Sequence, residues 1–169
     1  MKNVILTGFM ATGKSAVGRV LAQRLGYKFI DTDNLIAEQA KKSIAQIFQD
    51  EGEAHFRCLE TELLRQLENA QGLVIATGGG MILPEENFRR LKKLGPVICL
   101  TASPEVILAR AKRGQTKRPL LNTPDPLEKI TQLLEKRKPF YRLADFTVDT
   151  SGNNPAEAAD SIFTYLKGA

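Results

Sequence analysis

The stretch GFMATGKS, residues 8–15, constrains the fold of this chain more than any other. It satisfies G-x-x-x-x-G-K-[ST], follows the β-rich run VILT at 4–7, and precedes Val17, Val20, Leu21 and Leu25, which recur at helical spacing. A strand that hands a glycine loop to a helix N-terminus forms a cradle for phosphate. Gly8 and Gly13 let the backbone approach the oxygens, and the N–H groups and the helix dipole attract the anion. Ala11 and Thr12 lie inside the loop, Lys14 is placed for the β- and γ-phosphates, Ser15 for a metal ion, and Ala16 for the first helical turn. The chemistry this implies is ATP as phosphoryl donor with Mg²⁺, which one hydroxyl, phosphate oxygens and water are enough to hold.

The rest of the chain repeats the pattern. Short apolar runs end at Asp31, at the glycines after GLVIA, at Thr101 and at Val148, and segments of helical period lie between them. That alternation predicts an α/β fold: three layers, with a five-stranded parallel sheet covered by helices on both faces and ligands at the strand C-terminal ends. Ser43 is placed to cap one helix, and Pro84 and Pro104 to start others. The segment 112–124, with Gly114, Pro119 and Pro124 and no sustained apolar period, reads as a mobile lid. A chain of 169 residues suits a single domain, here 1–169, with a probable acceptor-binding region at 32–70.

Composition narrows the classes. Hydrophobic content is 43%, and no apolar run reaches the roughly 20 residues needed to span a bilayer, so the expectation is a soluble protein without a membrane partner. MKNVILTG turns into the glycine loop too soon for a secretory signal, which points to the cytoplasm. Two cysteines and one histidine exclude a disulfide framework, a cysteine-rich metal site and a Ser-His-Asp triad. The net charge of +5 gathers at 89–93 and 110–118 with no aromatic stacking platform, which argues against nucleic acid and for an anionic small substrate.

Several carboxylates and cations invite roles. Asp31 and Asp33 stand two apart at a strand end, where an extended backbone would aim both to one face and a helix start would make them caps. Arg57 and Glu60 are one helical turn apart, a spacing that a plain surface pair also explains. Arg110 suits stacking on a purine, pairing with phosphate, or closing a helix end. Asn154 and Pro155 suit a nucleotide edge or an ordinary helix cap.

Taken together, DTD at 31–33, GEAHFR at 52–57, Glu60, ATGGG at 76–80, KRPLL at 117–121 and RKPFY at 137–141 resemble the shikimate kinase family, within the nucleoside monophosphate kinase-like P-loop fold. The resemblance implies phosphoryl transfer from ATP to the 3-hydroxyl of shikimate, and a one-domain enzyme is expected to be a monomer. It assigns Asp33, Arg57, Gly79 and Arg137 to shikimate, together with the neighbours Gly78 and Gly80. It also makes Asp31 a holder of metal-bound water and Arg118 the lid arginine over ATP, with Lys14, Asp33 and Arg118 as the catalytic set. Arg110, Asn154 and Pro155 would join the P-loop around the nucleotide. Ala11, where the family commonly has glycine, and Ala16, where it has serine or threonine, depart from the pattern. Rival readings are a gluconate or nucleoside monophosphate kinase, and a nucleotide-gated binding protein.

Overall fold

The computed structural model describes residues 2–114 and 122–168. Its elements alternate as expected: β1 (Val4–Thr7), α1 (Lys14–Leu25), β2 (Lys28–Asp31), α2 (Thr32–Ala40), α3 (Ile44–Gln66), β3 (Leu73–Ala76), α4 (Glu85–Leu94), β4 (Val97–Thr101), α5 (Pro104–Arg113), α6 (Pro126–Tyr141), β5 (Phe146–Asp149) and α7 (Pro155–Gly168). All strand pairs are parallel, in the order β2-β3-β1-β4-β5. The central strand β1 therefore has neighbours from both halves of the chain, with Val4 opposite Val74 and Ile5 opposite Val97. The loop leaving β1 opens at the crevice where such sheets bind ligands.

Period-two alternation divides the core into two layers. Ile5, Ile75, Val97 and Cys99 face one side, with Leu64, Leu91, Ile107 and Ile130. Val4, Leu6, Val74, Ile98 and Leu100 face the other, with Leu21 of α1 and Ile162 of α7. Each fully buried Leu or Ile contributes about 1.5–3 kcal/mol, so the two layers fix the sheet between its helices. Burial also pushes the Cys99 thiol up to about 11, which leaves it an inert core residue.

The helix ends follow local chemistry. Ser43 and Gln46 form a capping box for α3, and Gly52, at φ 85°, breaks that helix into two segments. Pro104 occupies the first turn of α5, whereas Pro84 caps α4 from just outside. Lys112 and Arg113, placed in the lid by the sequence pattern, complete the last turn of α5. The core of that segment, 115–121 with Lys117 and Arg118, lies outside the described residues. A third apolar cluster of Ile36, Ile47, Phe56 and Leu63 joins α2 to α3 and makes a small unit beside the sheet edge.

Candidate active site

The loop after β1 is held by hydrogen bonds to its own carbonyls. Lys14 Nζ donates to the carbonyls of Gly8 (2.9 Å) and Phe9 (2.8 Å), and Thr12, almost fully buried, donates to Phe9 O (2.8 Å). With these carbonyls engaged, the N–H groups of the loop remain for an anion, as in backbone nests. The left-handed turns this requires fall at Gly13 (φ 95°) and also at Ala11 (φ 59°). In an L-residue that conformation costs about 1–2 kcal/mol, so the departure from glycine at position 11 carries a backbone strain. At Gly8 a side chain is impossible, because its Cβ would lie 2.2 Å from the carbonyl oxygen of Leu100. Ala16 sits exposed on the first turn of α1 and offers no hydroxyl.

Asp31 has three partners. Its Oδ1 accepts from the N–H of Asp33 (3.1 Å) and Asn34 (3.3 Å), capping α2, while its Oδ2 accepts from Ser15 Oγ (2.9 Å). The extended geometry that would aim Asp31 and Asp33 to one face is not adopted, because the cap bends the chain into α2 directly after Asp31. The Ser15–Asp31 pair is nonetheless a set of hard oxygens beside the cradle, which fits Mg²⁺. Among the described residues no group of three His, Cys, Asp or Glu side chains could hold a metal by itself.

The run Gly78-Gly79-Gly80, leaving β3, lies against four different side chains. A Cβ on Gly78 would lie 2.7 Å from Asp33 Oδ1 and 3.2 Å from Glu60 Oε1; on Gly79, 3.3 Å from Arg137 Nη1; on Gly80, 2.7 Å from both terminal nitrogens of Arg57. A side chain at Gly78 or Gly80 would displace the Asp33 carboxylate or the Arg57 guanidinium, and one at Gly79 would crowd Arg137. Gly79 is also the bridge to the cradle, since the same Cβ would be 3.5 Å from Gly8 O.

Electrostatics differ around this ribbon. Arg57 donates to Glu60 Oε2 (2.7 Å) and to Glu53 Oε1 (3.3 Å). Glu60 is fully buried, so the pair is not a surface pair. Burial pushes the Glu60 carboxyl up, against the pull of Arg57. Burial, and then the charge of Asp31, likewise raise Asp33, while Lys14 and Arg57 hold it back. Asp33 Oδ1 and Glu60 Oε1 are buried acceptors with no partner among the described residues. Arg137 lies over the Phe9 ring, 5.2 Å from its centroid.

Other side chains hold this geometry and went unread in the sequence. Thr32 accepts from Gly78 N (3.0 Å), and Tyr141 donates to Gly79 O (3.0 Å). Tyr141 is one turn beyond Arg137 in RKPFY, the single local hint of its position. Of the remaining sequence candidates, Arg110 sits against the outer part of the phosphate loop and Asn154 and Pro155 sit at a helix start. Arg110 bonds Thr150 O (2.5 Å), Thr150 Oγ1 (2.9 Å) and Ala11 O (3.4 Å), and Asn154 Oδ1 caps α7 by accepting from the N–H of Ala156 (2.9 Å) and Glu157 (3.0 Å), with Pro155 opening that helix.

A parallel sheet with a phosphate cradle after its central strand, and a cationic pocket next to it, defines a P-loop kinase of small molecules. The shikimate kinase profile matches residues 10–167. A shikimate kinase of Thermodesulfovibrio yellowstonii is 46% identical over 162 residues, covering 96% of this chain and 93% of its own, and one of Pelotomaculum thermopropionicum is 48% identical over 167 residues, covering 99% and 96%. The shikimate kinase of Acinetobacter baumannii, solved in complex with shikimate, superposes with a TM-score of 0.93 at 38% identity, covering 99% of this chain and 94% of its own. This chain belongs to the shikimate kinase family. No described helix is long and apolar enough to cross a membrane.

Proposed function

We propose that the chain transfers the γ-phosphoryl group of ATP to the 3-hydroxyl of shikimate, giving shikimate 3-phosphate and ADP, as one domain in which helices of the 32–70 region form the acceptor side. The observation that carries this reading is the position of Gly79, against Arg137 on one side and the cradle carbonyl of Gly8 on the other. An acceptor held there lies next to the phosphate.

Arg57 and Arg137 bind the shikimate carboxylate, where guanidinium forks give charge-assisted and bidentate bonds. Asp33 accepts from the acceptor hydroxyl, and the orphan oxygen near Gly78 suits that bond. The hydroxyl oxygen forms a bond to the γ-phosphorus as the bond from that phosphorus to the ADP oxygen breaks, and the hydroxyl proton passes to Asp33. A carboxyl raised by burial is a better base for that task than an ordinary aspartate. Lys14, with Arg118 from the segment 112–124, neutralises charge on the moving group, and positioning supplies much of the remainder. Ser15, with Asp31 through water, would hold Mg²⁺, which supplies charge neutralisation at the phosphates. Arg110, Asn154 and Pro155 border the nucleotide.

Both subsites come from one chain, which suits a monomer, and the lack of a membrane-crossing helix among the described residues suits the cytoplasm. The test is ADP release with shikimate, quinate, gluconate and AMP at equal concentration. Stimulation by shikimate alone is expected; stimulation by another acceptor and not by shikimate would sink the assignment.

A further inference from the structure

We propose that Thr150, acting with Arg110, is a positioning residue for the phosphate cradle, holding the Ala11 and Thr12 carbonyls outward so that a loop strained at Ala11 keeps its anion-binding shape. The proposal rests on residues 8–15 being that cradle.

Thr150 follows β5 directly and is only 3% exposed, unusual for a hydroxyl in a turn. Its Oγ1 lies 2.8 Å from Thr12 O and 3.1 Å from Thr101 O, and it accepts from Arg110 Nη1 at 2.9 Å. Its N–H donates to Thr101 O (2.8 Å), and Arg110 reaches on to Thr150 O and Ala11 O. One threonine therefore joins the loop after β1, the end of β4 and the turn after β5. No part of the transfer reaction uses these bonds.

The geometry explains why the loop needs them. Ala11, at φ 59°, is held in a region that an L-residue leaves readily, and leaving it by a peptide flip would swing a carbonyl into the concave side. A carbonyl there replaces a donor with an acceptor facing phosphate. Hydrogen bonds to Ala11 O and Thr12 O oppose that flip. With glycine at position 11 the left-handed region carries no steric penalty, so the same bonds would matter less.

The proposal thus predicts coupling between two residues that do different things. Calorimetric Kd values for tripolyphosphate, which has no purine for Arg110 to touch, are measured in Mg²⁺ buffer for wild type, Ala11→Gly, Thr150→Val and the double variant. Thr150→Val is expected to weaken binding about 10-fold with Ala11 present and by no more than about 3-fold in the Ala11→Gly background. Thr150→Ser, which keeps the hydroxyl, should stay within about 2-fold of wild type, since a retained hydroxyl retains the bond. Equal weakening by Thr150→Val in both backgrounds, or Thr150→Ser as weak as Thr150→Val, overturns the positioning role alone. If Thr150→Val fails to fold, Arg110→Gln takes its place in the cycle with the same two readings. Failure of the wild-type protein to bind tripolyphosphate would overturn the cradle itself and this proposal with it.

Discussion

The nucleotide side and the acceptor side of the cleft are built in opposite ways. On the nucleotide side the polar groups are already engaged: Lys14 with two carbonyls, Ser15 with Asp31, Thr12 with Phe9 O and with Thr150. On the acceptor side Asp33 Oδ1 and Glu60 Oε1 are buried acceptors facing one point beside Gly78, with no partner among the described residues. A site made of backbone is satisfied by its own loop and prepared for any phosphate. A site made of side chains keeps polar capacity for a particular ligand and carries a folding cost until it is met. Generality and specificity are thus separated within one cleft.

The largest effect should come from Lys14→Ala, which under the proposed function removes the cation that faces the transferred group. kcat is expected to fall on the order of 1000-fold with an unchanged circular dichroism spectrum, read by ADP release. Near-normal turnover would break the nucleotide half of the comparison.

Asp33→Asn should cost roughly 100-fold in kcat and raise KM for shikimate, since it removes the hydroxyl's acceptor and loosens its aim. The same variant should be more stable at neutral pH, by about 1 kcal/mol or about 2–4 °C in Tm, because an amide can donate where two acceptors now meet. The sign agrees with the raised Asp33 carboxyl. The folded state holds that proton more tightly than the unfolded chain, so the contribution of Asp33 to stability is most favourable below the ordinary value of 3.8 and declines as pH rises through the folded value. The Tm difference between wild type and Asp33→Asn should therefore grow with pH across that window. A variant less stable than wild type at every pH would show that Asp33 is not the strained member of the site.

Asp31→Asn should cost roughly 10-fold, as changes beside a metal site do, and added Mg²⁺ should recover part of it while doing little for Asp33→Asn. Asparagine caps a helix as well as aspartate does, so α2 stays in place. Equal rescue of both variants would merge the two subsites into one metal-organising unit. The smallest effect is expected from Ala11→Gly. Removal of the left-handed strain, less the entropy glycine loses on folding, should leave a gain of no more than about 1 kcal/mol, seen as a modest rise in Tm. A fall in Tm would show that Ala11 is not strained.

The difference between the two sides also explains what the sequence disclosed. The cradle is contiguous, so its spacing alone declares it, and the alternation of Ile5, Leu6, Ile98 and Cys99 between faces follows directly from strand period. The acceptor site is assembled from residues near 33, 57, 79 and 137, which no local period connects; only resemblance to a family joined them. The roles of Thr32, Tyr141 and Thr150 went unread because each acts through hydrogen bonds across the fold, from a residue type common in turns or helices. Asp31 exposed the limit of reading geometry from spacing, since an i,i+2 pair has two meanings according to whether the backbone continues as strand or bends into helix.

The register of the central strand also sets when the cradle can exist during folding. β1 finds its neighbours about 70 and 92 positions away, Val4 opposite Val74 and Ile5 opposite Val97, and the Thr12 carbonyl meets Thr150 across 138 positions. Such long-range pairings close late, after the entropy of large loops has been lost. A partly folded chain with its early helices formed would still have β1 unflanked and the glycine loop unshaped. Phosphate affinity is therefore a reporter of complete folding for this molecule, and its recovery during refolding should trail helix formation and coincide with docking of β5.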